Sequence, residues 1–204
     1  MYRSRIGAIV LAAGSSSRLG TPKQLLRLDG TSLLRRAVLA ALGAGCDPVV
    51  VVTGAHADIY RCELGGLTVH EAFNAAWETG LASSIRAGIA SLATHGPDVA
   101  ATLLLLCDQP HVTTRVLSRL IGAHLATGRG IVASTYGDTA GTPALFARAH
   151  FDELARIEGA IGAKQVIARH VAEAQLVSFP LGEVDVDTPA DAERLGLSPA
   201  AGRS

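Results

Sequence analysis

Lysine is scarce in this 204-residue chain: of eighteen basic residues, only Lys23 and Lys164 are lysines. Acidic and basic residues are equal in number, and a net charge of zero argues against a broad nucleic-acid-binding surface. Aromatics make up only 4% while Ala, Leu, Val and Ile abound, a composition that suits helices packed on a parallel sheet. The three cysteines, Cys46, Cys62 and Cys107, are odd in number and lack metal-ligand spacing, so a reduced cytoplasmic setting is expected. The seven histidines form no His-x-His or His-Glu-x-x-His pattern and read as mostly surface or loop residues. No run reaches membrane-spanning length and no signal-peptide pattern opens the chain, so neither a membrane nor a nucleic acid is an expected partner. A Gly-x-Gly-x-x-Gly run is missing too, which sets aside a dinucleotide-binding oxidoreductase.

What is present is concentrated in Leu11-Ala12-Ala13-Gly14-Ser15-Ser16-Ser17-Arg18-Leu19-Gly20-Thr21-Pro22-Lys23. This stretch follows a short apolar run that reads as a buried strand over 6–12. Its small residues leave backbone N–H groups uncovered, and bare amides donate well to phosphate oxygens. Arg18 and Lys23 add two positive charges, so a nucleoside triphosphate is the natural guest. The kinase and ATPase loop fits poorly: it needs four residues between its glycines, whereas five separate Gly14 from Gly20. Charge is also uneven, because residues 1–36 hold Arg3, Arg5, Arg18, Lys23, Arg27, Arg35 and Arg36 against Asp29 alone. That bias fits one anionic ligand better than polyanions in general.

Strand and helix signals alternate along the rest. Helices are expected over 32–42, 81–93, 113–127, 151–157, 163–170 and 189–195, with Ser32 and Thr113 as caps. Strands are expected over 49–53, 67–70, 101–107 and 131–134, with an extended stretch at 175–180. The pattern implies a three-layer α/β/α sandwich with a mostly parallel, Rossmann-like sheet. One domain over 1–196 is expected, with a loose tail at 197–204. Ligands in such folds bind beyond the carboxyl ends of the strands.

Asp108 stands at such an end, in Leu106-Cys107-Asp108-Gln109-Pro110, where proline pushes Gln109 toward an extended conformation. A second acidic cluster, Val184-Asp185-Val186-Asp187-Thr188-Pro189, opens the last helix. Magnesium is commonly held by one or two carboxylates together with water and phosphate oxygens. Asp108 and Asp187 are therefore the candidate ligands for Mg2+. Asp187 or Thr188 before Pro189 also reads as a helix cap.

These segments together resemble the molybdenum cofactor nucleotidyltransferases, especially their cytidylyltransferase branch. The resemblance rests on the first loop, on Glu78-Thr79-Gly80-Leu81-Ala82-Ser83-Ser84-Ile85-Arg86-Ala87-Gly88, on Cys107-Asp108-Gln109-Pro110, on Gly141-Thr142-Pro143 with Phe146, and on Asp185-Val186-Asp187-Thr188-Pro189. It implies transfer of CMP from CTP to the phosphate of molybdopterin, with release of pyrophosphate and a need for Mg2+. By position, Arg18, Lys23 and Asp108 would be the catalytic residues. Leu11, Ala12, Ala13, Gly14 and Ser15 would join Arg18 and Lys23 in binding the nucleotide, and Gly80, Ala82, Ser83 and Ser84 would line its base and ribose. Asp108 and Asp187 would hold the metal, with Asp185 the alternative to Asp187. A methyl at Ala13, where guanylyl-transferring relatives carry glycine, would narrow the base pocket toward a pyrimidine. A molybdoenzyme or its maturation factor would receive the product.

One segment departs from the pattern. Where relatives show Gly-Asp-x-Gly-Ala-Arg, this chain reads Gly159-Ala160-Ile161-Gly162-Ala163-Lys164. The lost carboxylate keeps open a GTP-using enzyme, a sugar- or alditol-phosphate acceptor, or a non-catalytic nucleotide-binding partner of a molybdoenzyme.

Overall fold

A computed structural model describes residues 4–17, 19–160 and 162–199. The chain runs β1 (Ile6–Leu11), β2 (Arg27–Leu28), β3 (Thr31–Ser32), α1 (Leu33–Gly43), β4 (Val49–Thr53), α2 (Ala57–Leu64), β5 (His70–Phe73) and α3 (Leu81–His95). It continues through β6 (Ala101–Leu106), α4 (Thr114–Thr127), β7 (Ile131–Tyr136), β8 (Thr139–Ala147), α5 (Phe151–Leu154), α6 (Lys164–Arg169), β9 (Gln175–Ser178) and α7 (Pro189–Arg194). Seven strands form one sheet in the order β5-β4-β1-β6-β8-β7-β9. All but β8 run the same way, since β8 is antiparallel to both β6 and β7.

The apolar run of β1 has no polar face because both of its faces are covered. Ala8, Val10 and Ala12 enter one core with Leu34 and Val38 of α1 and Leu117 and Leu120 of α4. Ile9, Leu11 and Ala13 enter a second core with Ile85 and Ile89 of α3 and Val166 and Ile167 of α6. Gly88 sets the closeness of that second contact: a Cβ there would lie 2.5 Å from Ile9 Cγ2. A third, smaller cluster joins Leu19, Leu26, Leu33 and Val186. This cluster ties the first loop to the chain just before α7.

Ser32 and Thr113 cap α1 and α4 by accepting from the Arg35 and Val116 amides, and both sandwich layers match the expected fold. Several elements differ from the sequence reading. The strand expected at 67–70 is instead His70–Phe73, because β4 pairs from Val50 with His70 to Thr53 with Phe73; Leu67 and Val69 pack on the core instead. The helix expected over 151–157 ends at Leu154. α2 and β8 were not expected at all. Pro143 within β8 obscures a strand pattern, yet Gly137-Asp138 between Tyr136 and Thr139 is a two-residue hairpin loop. Leu197 and Ser198 are also no loose tail. Ser198 exchanges backbone bonds of 2.8 and 3.0 Å with Arg27, and Leu197 packs on the third cluster.

Candidate active site

The first loop leaves β1 at the carboxyl edge of the sheet and is shaped by Gln24, a buried residue that sequence reasoning passed over. Its Nε2 donates to the carbonyls of Ala12 (3.2 Å) and Gly14 (2.9 Å). Its Oε1 accepts from Ser16 Oγ at 3.1 Å, and Ser16 Oγ accepts from the Lys23 amide at 3.0 Å. Ser16 takes a positive φ of 57° to make this turn. With its carbonyls drawn to Gln24, the loop leaves the amides of Ala13, Gly14 and Ser15 without a partner among the described residues. A Cβ on Gly14 would meet nothing within 4 Å, so that side of the loop is open. Such clustered free amides form an anion-binding concavity. Arg18, the other expected cation, lies outside the described residues.

Lys23 reaches from this loop to both expected carboxylates. Its Nζ donates to Asp108 Oδ2 at 2.6 Å and to Asp187 Oδ1 at 3.0 Å. Asp108 comes there at the end of β6, and its carbonyl accepts from the Val186 amide at 3.2 Å. That bond draws the segment 184–188 alongside. Val186 is fully buried in the third cluster, while Asp185 is exposed and Asp187 half-buried. The cap of α7 is Thr188, in a capping box with Asp191, so Asp187 is not the cap and its carboxylate turns to Lys23. Gln109, buried beside Asp108, donates to the carbonyls of Thr142 (3.1 Å) and Gly182 (2.8 Å) and locks three segments together.

Electrostatics decide the protonation states. Burial alone would lower the Lys23 pKa, but the charge of Asp108 and the bonds to Asp108 and Asp187 outweigh it and raise it. Lys23 is therefore a fixed cation. Asp185 is pushed up to about 6 by burial and by the charges of Asp108 and Asp187. Burial pushes the Cys107 thiol up to about 12, so it offers no thiolate at neutral pH.

The segment from Gly80 to Ser84 lies at the same sheet edge, but its hydroxyls point inward. Asn74, also unforeseen from the sequence, donates from Nδ2 to Ser83 Oγ (2.8 Å) and Ser84 Oγ (3.0 Å). Ser83 Oγ in turn donates to the carbonyls of Gly80 and Ala76. Gly80 adopts φ 110°, and a Cβ there would press within 3.1 Å of the Gly159 carbonyl. The two segments 80–84 and 159–164 thus pack on one another, and Ala82 and Ser83 border a cavity of about 390 Å3 with Arg86 and Gly159. Ala13 is buried in the second core, and a Cβ on Gly54 would come within 2.9 Å of its methyl. The methyl therefore does not stand at the edge of an open base pocket as the sequence suggested.

Residues 8–174 match the MobA-like NTP transferase domain. The chain belongs to that family. Within the MobA-like fold, Rv0371c from Mycobacterium tuberculosis H37Rv superposes with a TM-score of 0.80 at 33% identity, covering 94% of this chain and 97% of that one. A structure of Rv0371c in complex with manganese superposes at 0.76 with 29% identity, covering 94% and 98%. Nicotine blue oxidoreductase from Paenarthrobacter nicotinovorans is 32% identical over 147 residues, covering 71% of this chain and 68% of the relative.

The carboxylates of this MobA-like chain fit a hard divalent cation. Asp108 Oδ1 is buried and accepts no hydrogen bond among the described residues, and the donor set is all oxygen. Lys164 is exposed, yet its Cε lies 3.3 Å from the Cβ position at Gly141, and its charge works against the upward shift of Asp185. Among the described residues, no helix is long and apolar enough to cross a membrane.

Proposed function

We propose that this chain is a cytidylyltransferase that moves CMP from CTP to a molybdopterin-type phosphate and releases pyrophosphate. The observation that carries the reading is the Lys23 bridge to Asp108 and Asp187, set beside a loop with free amides. The amides of Ala13, Gly14 and Ser15 would bind the triphosphate, with Arg18 and Lys23 neutralising it. A phosphate oxygen of the acceptor attacks the α-phosphorus in line, forming one P–O bond as the bond to pyrophosphate breaks. No protein nucleophile and no general base is needed, and the protonated Cys107 thiol agrees with that. Catalysis then consists of holding two phosphates in line and stabilising charge with preorganised donors. Asp108 and Asp187 would hold Mg2+, which neutralises charge on the phosphate oxygens when bound.

CTP is favoured by the Thr21-Pro22-Lys23 form of the loop, which resembles the cytidylyltransferase branch. An anionic acceptor is favoured by Lys164, which lies on the carboxylate side of β8. The deciding experiment is calorimetric binding of CTP, GTP, UTP and ATP with Mg2+, followed by pyrophosphate release on adding molybdopterin. A preference for CTP that is lost in Asp108→Ala supports the reading. Equal or absent nucleotide binding overturns it, and CTP binding without turnover on molybdopterin points to a sugar or alditol phosphate instead. The Paenarthrobacter relative is called an oxidoreductase, so redox chemistry is a second reading, against which the missing Gly-x-Gly-x-x-Gly run counts. Redox turnover of nicotine blue by the purified chain, with no nucleotidyl transfer, would select that reading.

A further inference from the structure

The histidines carry information that their spacing hides. His150 ends a short turn (Arg148–His150), Glu153 lies one turn later in α5, and His170 follows α6. The fold brings all three together on a side of the protein that the nucleotide site does not use. Ala147 at the end of β8 pairs with Ala101 at the start of β6, whereas Asp108 follows the far end of that strand. Seven residues of extended chain place the two sites roughly 20 Å apart.

Glu153 Oε2 lies 2.8 Å from His170 Nε2 and 3.9 Å from His150 Nδ1, and the three donor atoms all lie within 4.8 Å of one another. Ligands of a tetrahedral zinc ion are spaced by about 3.3 Å, given bonds near 2.0 to 2.1 Å. Small side-chain movements therefore separate this cluster from a coordination shell. The other carboxylate oxygen, Glu153 Oε1, accepts from Arg169 Nη1 at 3.1 Å, which turns Oε2 toward both imidazoles. An outer partner of this kind orients a metal ligand. His150 is held from the other side by Gly130, where a Cβ would come within 2.7 Å of Nε2. A cavity of about 240 Å3, bordered by Gly130, His150, His170 and Glu173, opens beside the imidazoles and leaves room for water or a fourth ligand.

We propose that His150, Glu153 and His170 form a binding site for a zinc-class divalent ion, remote from the nucleotide site and clamping α5 to the end of α6. Two imidazoles and one carboxylate suit zinc or cobalt, whereas magnesium prefers oxygen ligands throughout. The chemistry thus distinguishes this site from the Asp108 and Asp187 pair. An ion bound only by the folded chain stabilises it, so thermal unfolding becomes metal-dependent.

The test is titration of the chelator-stripped full chain with Co2+, whose visible absorption reports imidazole ligation. One equivalent should give a band that Zn2+ displaces, and about a hundredfold excess of Zn2+ over its Kd should raise Tm by roughly 5–10 °C. His150→Gln and His170→Gln should each lose the band with unchanged circular dichroism, while Asp108→Asn should keep it. Imidazole resonances of His150 and His170 in the wild-type chain should move on adding Zn2+, a readout that needs no variant. Absence of the band and of those shifts would leave the cluster an ion-paired network only and overturn the proposal. A band that survives both histidine substitutions, or one lost in Asp108→Asn, would overturn it as well.

Discussion

Lys23 and Asp108, separated by 85 positions in sequence, meet at 2.6 Å across the carboxyl edge of the sheet. Both side chains are mostly buried, at 18% and 16% exposure, so the two groups face one another largely screened from water. Lys23→Met would leave Asp108 and Asp187 without this cation and should destabilise the fold by about 1–3 kcal/mol. It should also lower nucleotidyl transfer by roughly 10²-fold or more, as expected for a donor aimed at developing charge. Denaturant unfolding and pyrophosphate release check the two effects separately. Transfer that continues at the wild-type rate would remove Lys23 from the reaction.

Gln24 does for the loop backbone what Lys23 does for the carboxylates. Gln24→Ala strips the carbonyls of Ala12 and Gly14 of a buried donor, a loss of about 1–3 kcal/mol. The loop would then lose the arrangement that frees its amides, so KM for the nucleotide should rise more than kcat falls. Steady-state kinetics with the nucleotide varied will read this split. An unchanged KM would mean that the loop holds its shape without Gln24.

Much of this architecture is legible in the residues themselves, for reasons that differ from part to part. The run of β1 and the β-branched Val49 to Thr53 have one physical solution, a strand covered on both faces. Lys23, Asp108 and Asp187 stand beside small residues, a strand end and a proline, and each of those local signals is strong. Gln24, Asn74 and Gln109 carry no such signal, because a buried amide is recognised only by the carbonyls and hydroxyls that the fold brings to it. The same holds for His150 and His170, which lie twenty positions apart and meet only after α5 and α6 pack on the sheet. β8 stayed hidden because Pro143 interrupts its pattern, although Gly137-Asp138 already marked the hairpin.

Gly88 lies in the segment that resembles nucleotide-binding relatives, yet its surroundings assign it a packing role. Gly88→Ala would place a methyl 2.5 Å from Ile9 Cγ2 and 3.2 Å from Val52 Cγ2, forcing α3 away from β1 and β4. Overpacking of this kind costs about 1–3 kcal/mol. The nucleotide affinity of the folded fraction should stay near wild type, since Gly88 lies two turns into α3 from Gly80. Calorimetric binding set beside thermal unfolding tests the distinction, and a large loss of affinity without loss of stability would contradict it.

Asp185 makes stability depend on pH in a direction opposite to most carboxylates. Its folded pKa is raised to about 6 from an ordinary 3.8, first by burial and then by the charges of Asp108 and Asp187. A group that holds its proton more tightly when folded contributes stability fully below its unfolded pKa. That contribution is lost as pH rises through the folded value, so the window runs from about pH 4 to about pH 6. The side chain reaches solvent, which screens the effect to about 1 kcal/mol or less. Asp185→Asn removes the charge and should therefore be more stable than wild type near pH 7.5, with the difference vanishing below about pH 4. Urea unfolding of both proteins at the two pH values gives the comparison. A variant less stable than wild type at the higher pH would mean that Asp185 is held by a favourable cationic contact, and that Lys23 and Lys164 outweigh its two acidic neighbours.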